Sequence, residues 1–145
     1  MDNLNLDELQ SEIVSPSEFV KNKSSGGGSA LGMTMTYNEN GKRCTFTLGI
    51  KKILGIDTSV CIALIPSTRL VLVGKDFKGG TVYSCSKSAS KPIIYNSTLV
   101  EGFVNAFGLG ELYANGRTSI SFHNVDIDEV NNIAIIHIPE ATDLV

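Results

Sequence analysis

The sequence predicts a β-rich α+β fold: two tandem ββαββ units whose hairpins interleave into one compact pseudo-dimer. Three observations lead there. Short apolar or alternating runs, separated by turn chemistry, recur through residues 30–138. Two stretches with helical spacing each end on a glycine, Gly55 between Leu54 and Ile56 and Gly108 between Phe107 and Leu109. The runs at residues 60–65, 70–73 and 133–138 are apolar on both faces, broken only at His137. Such strands are usually covered on both sides. A unit of about 45 residues is too small to do this alone, so each unit is expected to bury the other's hairpins.

Composition bounds the problem. A chain of 145 residues with 42% hydrophobic and 19% charged residues can build a real core and is not a disordered polymer. Residues 1–24 lack the basic start and apolar run of a secretory signal, and no apolar run reaches membrane-spanning length. Cys44, Cys61 and Cys85 have no paired spacing. Free thiols in a reducing, cytoplasmic setting are the expectation. The net charge of −3 is uneven: residues 1–24 hold five acids and two bases, and residues 78–145 hold seven acids and four bases. Residues 31–77 hold six bases and three acids, so only this central block has the charge of a nucleic-acid binder.

The elements follow in order. Residues 1–29 read as an acidic tail. Leu6, Leu9 and Ile13 have helical spacing over residues 7–14, and residues 24–29 (Ser-Ser-Gly-Gly-Gly-Ser) form a flexible linker. The glycine triplet lacks the Lys-Ser/Thr of a phosphate loop. The tail is therefore expected to contribute little to the core. Residues 30–77 form the first unit. Met33 and Met35 alternate with Thr34 and Thr36, and Asn40-Gly41 is the strongest hairpin signal, giving a hairpin over residues 30–47. Residues 48–54 form a short helix, and residues 59–65 and 69–74 form strands around Pro66-Ser67-Thr68.

Residues 78–145 form the second, divergent unit. Residues 81–85 and 92–95 are strand-like around a polar turn at residues 86–90. Thr98 and Glu101 have the spacing of a capping box, and Leu99, Val100, Phe103, Val104 and Phe107 make the apolar stripe of a helix. Strands at residues 118–122 and 133–138 follow, the second after an Asn131-Asn132 turn.

The central block resembles the AbrB/SpoVT-type swapped-hairpin domain, also found in MraZ and in many antitoxins. The residues that carry the likeness are Glu39-Asn40-Gly41-Lys42-Arg43, then Leu48-Gly49-Ile50-Lys51-Lys52-Ile53-Leu54-Gly55-Ile56, then Arg69-Leu70-Val71-Leu72-Val73. The ordered set covers about a quarter of the chain. The resemblance implies a swapped-hairpin barrel made by two interlocked units, and a DNA-binding transcriptional regulator. It implies double-stranded DNA as partner, with Lys42, Arg43, Lys51 and Lys52 at the matching basic positions, and a homo-oligomer. Two departures matter. Thr47 stands where the family usually has proline. Val104 and Asn105 stand in the second unit where Lys51 and Lys52 stand in the first. A two-fold DNA reader needs both halves, so the second reading is a protein-interaction or inhibitor module that has lost DNA binding. Its partner would meet the acidic tail or the second unit.

Each residue singled out also has a plainer role. Lys51 and Lys52 suit the solvated end of a helix, where they complement its dipole. Arg43 with Glu39 makes a weak turn ion pair. His123 and His137 flank a loop containing Asp126, Asp128 and Glu129, but no ligand pair has metal spacing, and the core or rim role is preferred for His137. Cys44, two residues before Phe46, reads as a buried small hydrophobe. No catalytic constellation stands out, so neither an enzyme nor a cofactor is expected.

Overall fold

The computed structural model describes residues 30–86 and 90–144. The helix, the glycine-serine linker and the tail expected over residues 1–29 lie outside the described residues, as do residues 87–89 of the expected polar turn.

Strands β1 (Met33–Asn38) and β2 (Gly41–Phe46) form an antiparallel hairpin, with Met33 opposite Phe46 and Asn38 opposite Gly41. Its two-residue loop is Glu39 and Asn40, the middle of the expected Asn38-Glu39-Asn40-Gly41 turn. Neither Asn40 nor Gly41 has positive φ. Instead the Asn38 side chain accepts a hydrogen bond from the Asn40 N–H at 2.7 Å, a side-chain turn that replaces the left-handed pair. Helix α1 (Leu48–Leu54) follows. Thr47 Oγ1 accepts from Ile50 N at 3.5 Å and from Gly32 N at 3.1 Å, so threonine at the corner is a helix cap. Gly55 closes α1 at φ 73°, the left-handed position that glycine takes without strain.

Strands β3 (Ser59–Ile65) and β4 (Leu70–Gly74) pair around the 3-10 turn Pro66–Thr68. Arg69, expected to begin β4, is left-handed at φ 57° and belongs to the turn. Next come β5 (Thr81–Ser84), β6 (Ile93–Ile94) and α2 (Ser97–Ala106). The cap of α2 is Asn96, whose side chain accepts from Leu99 N at 2.9 Å, not Thr98. The helix starts before Thr98 because Asn96 already satisfies the orphan N–H. A second helix, α3 (Gly110–Ala114), was not expected. It buries Leu112 and Tyr113 after the left-handed Gly108. Strands β7 (Ser119–Phe122), β8 (Val125–Asp128) and β9 (Ile133–His137) complete the fold. Asp126 and Asp128 therefore lie in a strand rather than in the expected loop. Their alternation with Val125 and Ile127 is a strand pattern interrupted by charge.

The architecture is α+β with two antiparallel sheets. One has four strands in the order β6-β2-β1-β7, and the other has five in the order β5-β3-β4-β9-β8. Each strand of the first unit thus has a strand of the second as a neighbour: β1 takes β7, β2 takes β6, β3 takes β5 and β4 takes β9. Among the described residues no closed barrel is seen. The sheets approach each other where β5 runs out toward β6, Ser86 N donating to the Ile93 carbonyl at 2.8 Å, while His137 N to the Asn124 carbonyl at 2.9 Å extends the β8–β9 ladder toward β7.

One core joins both sheets and the helices. Met33, Met35, Cys44, Phe46, Ile94, Ile120 and Phe122 face inward from the four-stranded sheet. Val60, Ile62, Val71, Val73, Ala134 and Ile136 face inward from the five-stranded sheet. Helix α2 adds Phe103 and Phe107, with the Phe103 ring centroid 5.5 Å from that of Phe122. Arg69 ties the β3–β4 turn to the end of α2 and to the segment after β9: Nε donates to the Ile138 carbonyl at 2.9 Å, and Nη2 to the carbonyls of Phe107 and Pro139 at 2.9 and 2.7 Å.

Candidate functional site

The four basic residues singled out in the sequence sit on β2 and α1, and the fold separates them. Alternation along β2 puts Cys44 and Phe46 on the inner face, so Lys42 shares that side and Arg43 takes the other. Lys42 Nζ lies 3.5 Å from Glu101 Oε2 on α2 and 5.6 Å from the Tyr37 ring centroid. Arg43 stands on the outer face of the four-stranded sheet. No hydrogen bond or ion pair is formed by its side chain within the described residues. The expected Glu39–Arg43 turn pair is not among the ion pairs of the described residues.

That outer face is polar by construction. Thr34 and Thr36 on β1, Thr45 on β2, and Ser119 and Ser121 on β7 all alternate with core residues. Hydroxyls pair across the strands, Thr34 Oγ1 with Ser121 Oγ at 2.7 Å and Thr36 Oγ1 with Ser119 Oγ at 2.8 Å. Arg43 pairs in register with Thr36 in this hydroxyl field. The Met-Thr-Met-Thr pattern of β1 was the signal for it. The matching serines of β7 could be placed beside β1 only by the tertiary pairing.

Lys51 and Lys52 occupy the last turn of α1. Lys51 Nζ donates to the Ser90 carbonyl at 3.2 Å, which holds it against the segment leading into β6. Lys52 is exposed. In the second unit Val104 is 3% exposed and part of the core, while Asn105 is exposed. The end of α2 therefore carries no basic edge.

Two shallow cavities flank Lys42. The larger, about 380 Å³, is lined by Tyr37, Glu39, Lys42, Asn105 and Tyr113 among others. The second, about 340 Å³, is lined by Asn38 to Lys42 with Tyr95 and Ser97. Sequence reasoning missed the partners that shape this region. Tyr113 lies on α3, its hydroxyl donating to the Met35 carbonyl at 2.8 Å and its ring edge-on to Tyr37 at 5.4 Å. Burial pushes the Tyr113 hydroxyl up from its ordinary range.

The remaining candidates have structural surroundings. Cys44, Cys61 and Cys85 are free and buried. Burial raises each thiol: Cys85 adds to the effect at Cys44, whereas a backbone hydrogen bond with Phe77 opposes it at Cys61 and Lys51 opposes it at Cys85. That is the reverse of an activated thiolate. His137 Nε2 lies 2.9 Å from Asp126 Oδ2 across the β8–β9 pair. Asp126 Oδ1 is buried and without a hydrogen-bond partner among the described residues. His123 Nδ1 is 3.4 Å from the Leu31 carbonyl, well apart from that pair in its contacts. Among the described residues no group of three His, Cys, Asp or Glu side chains gathers to hold a metal. No helix among them is long and apolar enough to cross a membrane. Compared with known proteins, the chain matches no family model, no curated protein and no solved structure.

Proposed function

We propose that this chain is a DNA-binding regulator of the AbrB/SpoVT-like type, contacting the duplex through Arg43, Lys51 and Lys52. The observation that carries the reading is the place of Arg43. It stands on the outer face of a sheet whose other side chains there are mostly Thr and Ser hydroxyls, with no charged partner among the described residues. Arginine and hydroxyl groups on one surface are the donors that phosphate contacts use. Lys42 is engaged by Glu101 and Tyr37 and has a positioning role in this scheme.

The strand pairing supports a swapped-hairpin pseudo-dimer. Take β5, β6, β7 and β9 as the counterparts of β1, β2, β3 and β4. Then β1–β7 and β3–β5 are images of each other, and β2–β6 and β4–β9 are images of themselves. On this reading a pseudo-two-fold relates the halves, with β7 and β8 together as the counterpart of β3. The basic edge does not share that symmetry, because Val104 and Asn105 replace the lysines. One chain then binds weakly, and two associated chains present two basic edges to a two-fold site.

The test is a salt titration of binding to mixed duplex DNA, comparing wild type with the triple variant Arg43→Ala, Lys51→Ala, Lys52→Ala. At about 0.9 log units per phosphate neutralised, loss of three contacts removes roughly 2.7 units of slope. Lys42→Ala alone leaves the slope nearly unchanged. Absence of wild-type binding at low salt overturns the regulator. That outcome favours the protein-interaction module, a reading supported by the acidic second unit and its lack of a basic edge.

A further inference from the structure

The three central strands of the five-stranded sheet, β3, β4 and β9, are apolar on both faces, and their second face, bordered by Asp126, Asp128 and His137, lacks a cover among the described elements. Ala63 and Ile65 on β3, Leu70 and Leu72 on β4, and Ile133 and Ile135 on β9 form a cluster separate from the main core. Register makes it continuous. Ala63, Leu72 and Ile135 form one row, Ile65 lies opposite Leu70, and Ile133 lies opposite Gly74. These side chains point away from the main core, since Ile62, Val71, Val73, Ala134 and Ile136 between them point into it. Leu72 and Ile135 are 0% exposed and none of the six exceeds 9%, yet Phe77 is the one partly buried hydrophobic residue described as packing on them. A leucine on a bare sheet face keeps its tip in water, so this burial requires another covering element.

We infer that residues 1–29 of this same chain dock on the outer face of the five-stranded sheet, with Leu6, Leu9 and Ile13 seated over Leu72 and Ile135. Outside the described residues lie 1–29, 87–89 and 145. Only the first is long enough to cover three strands. Its apolar residues have the spacing of one helical stripe, the form that fills a flat aliphatic sheet face. The reach is sufficient. Gly49 at the start of α1 lies so close to the Ala30 carbonyl that a Cβ there would collide with it. At the other end of α1, the Leu54 carbonyl accepts from Asn132 Nδ2 at 3.1 Å, beside Ile133 at the margin of the apolar cluster. Helix α1, with seven residues, spans about 10 Å at 1.5 Å per residue. The six-residue linker 24–29 extends to about 20 Å. A short amphipathic segment is marginal as an isolated helix, and docking supplies the apolar contact that it lacks.

The test uses the full chain. The variant Leu6→Asp, Leu9→Asp, Ile13→Asp keeps every residue of both sheets. Its expected properties are a melting temperature lower by roughly 5–10 °C, a several-fold rise in binding of a hydrophobic dye, and retained β-sheet circular dichroism. In methyl NMR the shifts should move at Ile65, Leu70, Leu72, Ile133 and Ile135 and stay fixed at Ile50, Ile62 and Val71. A melting temperature within about 1 °C of wild type with unchanged methyl shifts overturns the inference and restores the loose tail. Sedimentation covers the other occupant. A wild-type dimer that persists in the variant, with the same methyls still protected, would show that a second copy seals the face and would also overturn it.

Discussion

The two sheets differ in one respect, and the difference organises the molecule. The four-stranded sheet alternates: Met33, Met35, Cys44, Phe46, Ile120 and Phe122 inside, and Thr34, Thr36, Arg43, Thr45, Ser119 and Ser121 outside. The three central strands of the five-stranded sheet do not alternate. Ile62 and Val71 are buried on one side, and Leu72 and Ile135 on the other. An antiparallel sheet with one polar face can leave that face in water, whereas a sheet apolar on both faces must be covered twice. The outer face of the first sheet is accordingly polar, with Ser119 and Ser121 exposed, Thr34, Arg43 and Thr45 half-buried and Thr36 buried. The second is a central layer that needs further protein on its outer side.

The largest expected effect breaks this comparison at equivalent outer positions. Ile135→Ala should destabilise by about 3 kcal/mol as a fully buried residue, and Thr45→Ala by no more than about 0.5 kcal/mol as a surface one. Urea denaturation of the two variants side by side measures this. Equal small losses would remove the distinction between the sheets.

Next in size is the joint between the two units. Arg69→Ala strands the carbonyls of Ile138, Phe107 and Pro139. A loss of about 2 kcal/mol is expected, from hydrogen bonds donated by a charged group. Arg69→Lys should recover less than half, since an ammonium cannot reproduce the guanidinium fork. Full recovery by lysine would mean that charge, not geometry, holds the joint.

The cap of α2 gives a smaller effect. Asn96→Ala should lower stability by about 1 kcal/mol, and Thr98→Ala by a few tenths. The reverse order would restore Thr98 as the cap and shift the start of α2, which packs against the inner face of the four-stranded sheet.

The smallest effect at neutral pH is electrostatic. The thiol of Cys44 and the hydroxyl of Tyr113 are both raised by burial in the folded protein. A raised folded pKa gives stability that is complete below the unfolded pKa and is lost as pH rises through the folded one. The urea midpoint should therefore be flat from pH 6 to about 8 and fall above about 8.5, the ordinary thiol range. In the Cys44→Ala variant the fall should be shallower but begin in the same range, because the Cys61 and Cys85 thiols are raised by burial too. An unchanged steepness would assign the effect to those groups.

Local chemistry was legible where it is self-contained. Helix α1 runs over Leu48–Leu54, with Gly55 left-handed behind it, because a short apolar stripe and a glycine need no distant partner to be recognised. The first hairpin, with its turn at residues 38–41, was legible too. Its existence follows from the alternation, but its loop is made by the Asn38 side chain, and competition between turn types depends on register. Helix α3 and strand β8 were missed because their patterns are short or interrupted by charge. Leu112 and Tyr113 are too few to declare a stripe, and Asp126 and Asp128 look like loop residues until Ile133 and Ile135 lie opposite them.

The sequence by itself determined which strands must be covered on both faces and where α1 and α2 form, because burial and helix punctuation are properties of neighbouring residues. Only the tertiary structure decided which strands adjoin. It set Ser119 and Ser121 beside Thr36 and Thr34 to complete a hydroxyl surface around Arg43, and it turned Lys42 away from that surface to Glu101. The physical reason is that strand pairing is long-range. A ladder between β1 and β7 joins residues more than eighty positions apart, its two hydroxyl pairs spanning 83 and 87 positions. No local pattern encodes such a neighbour.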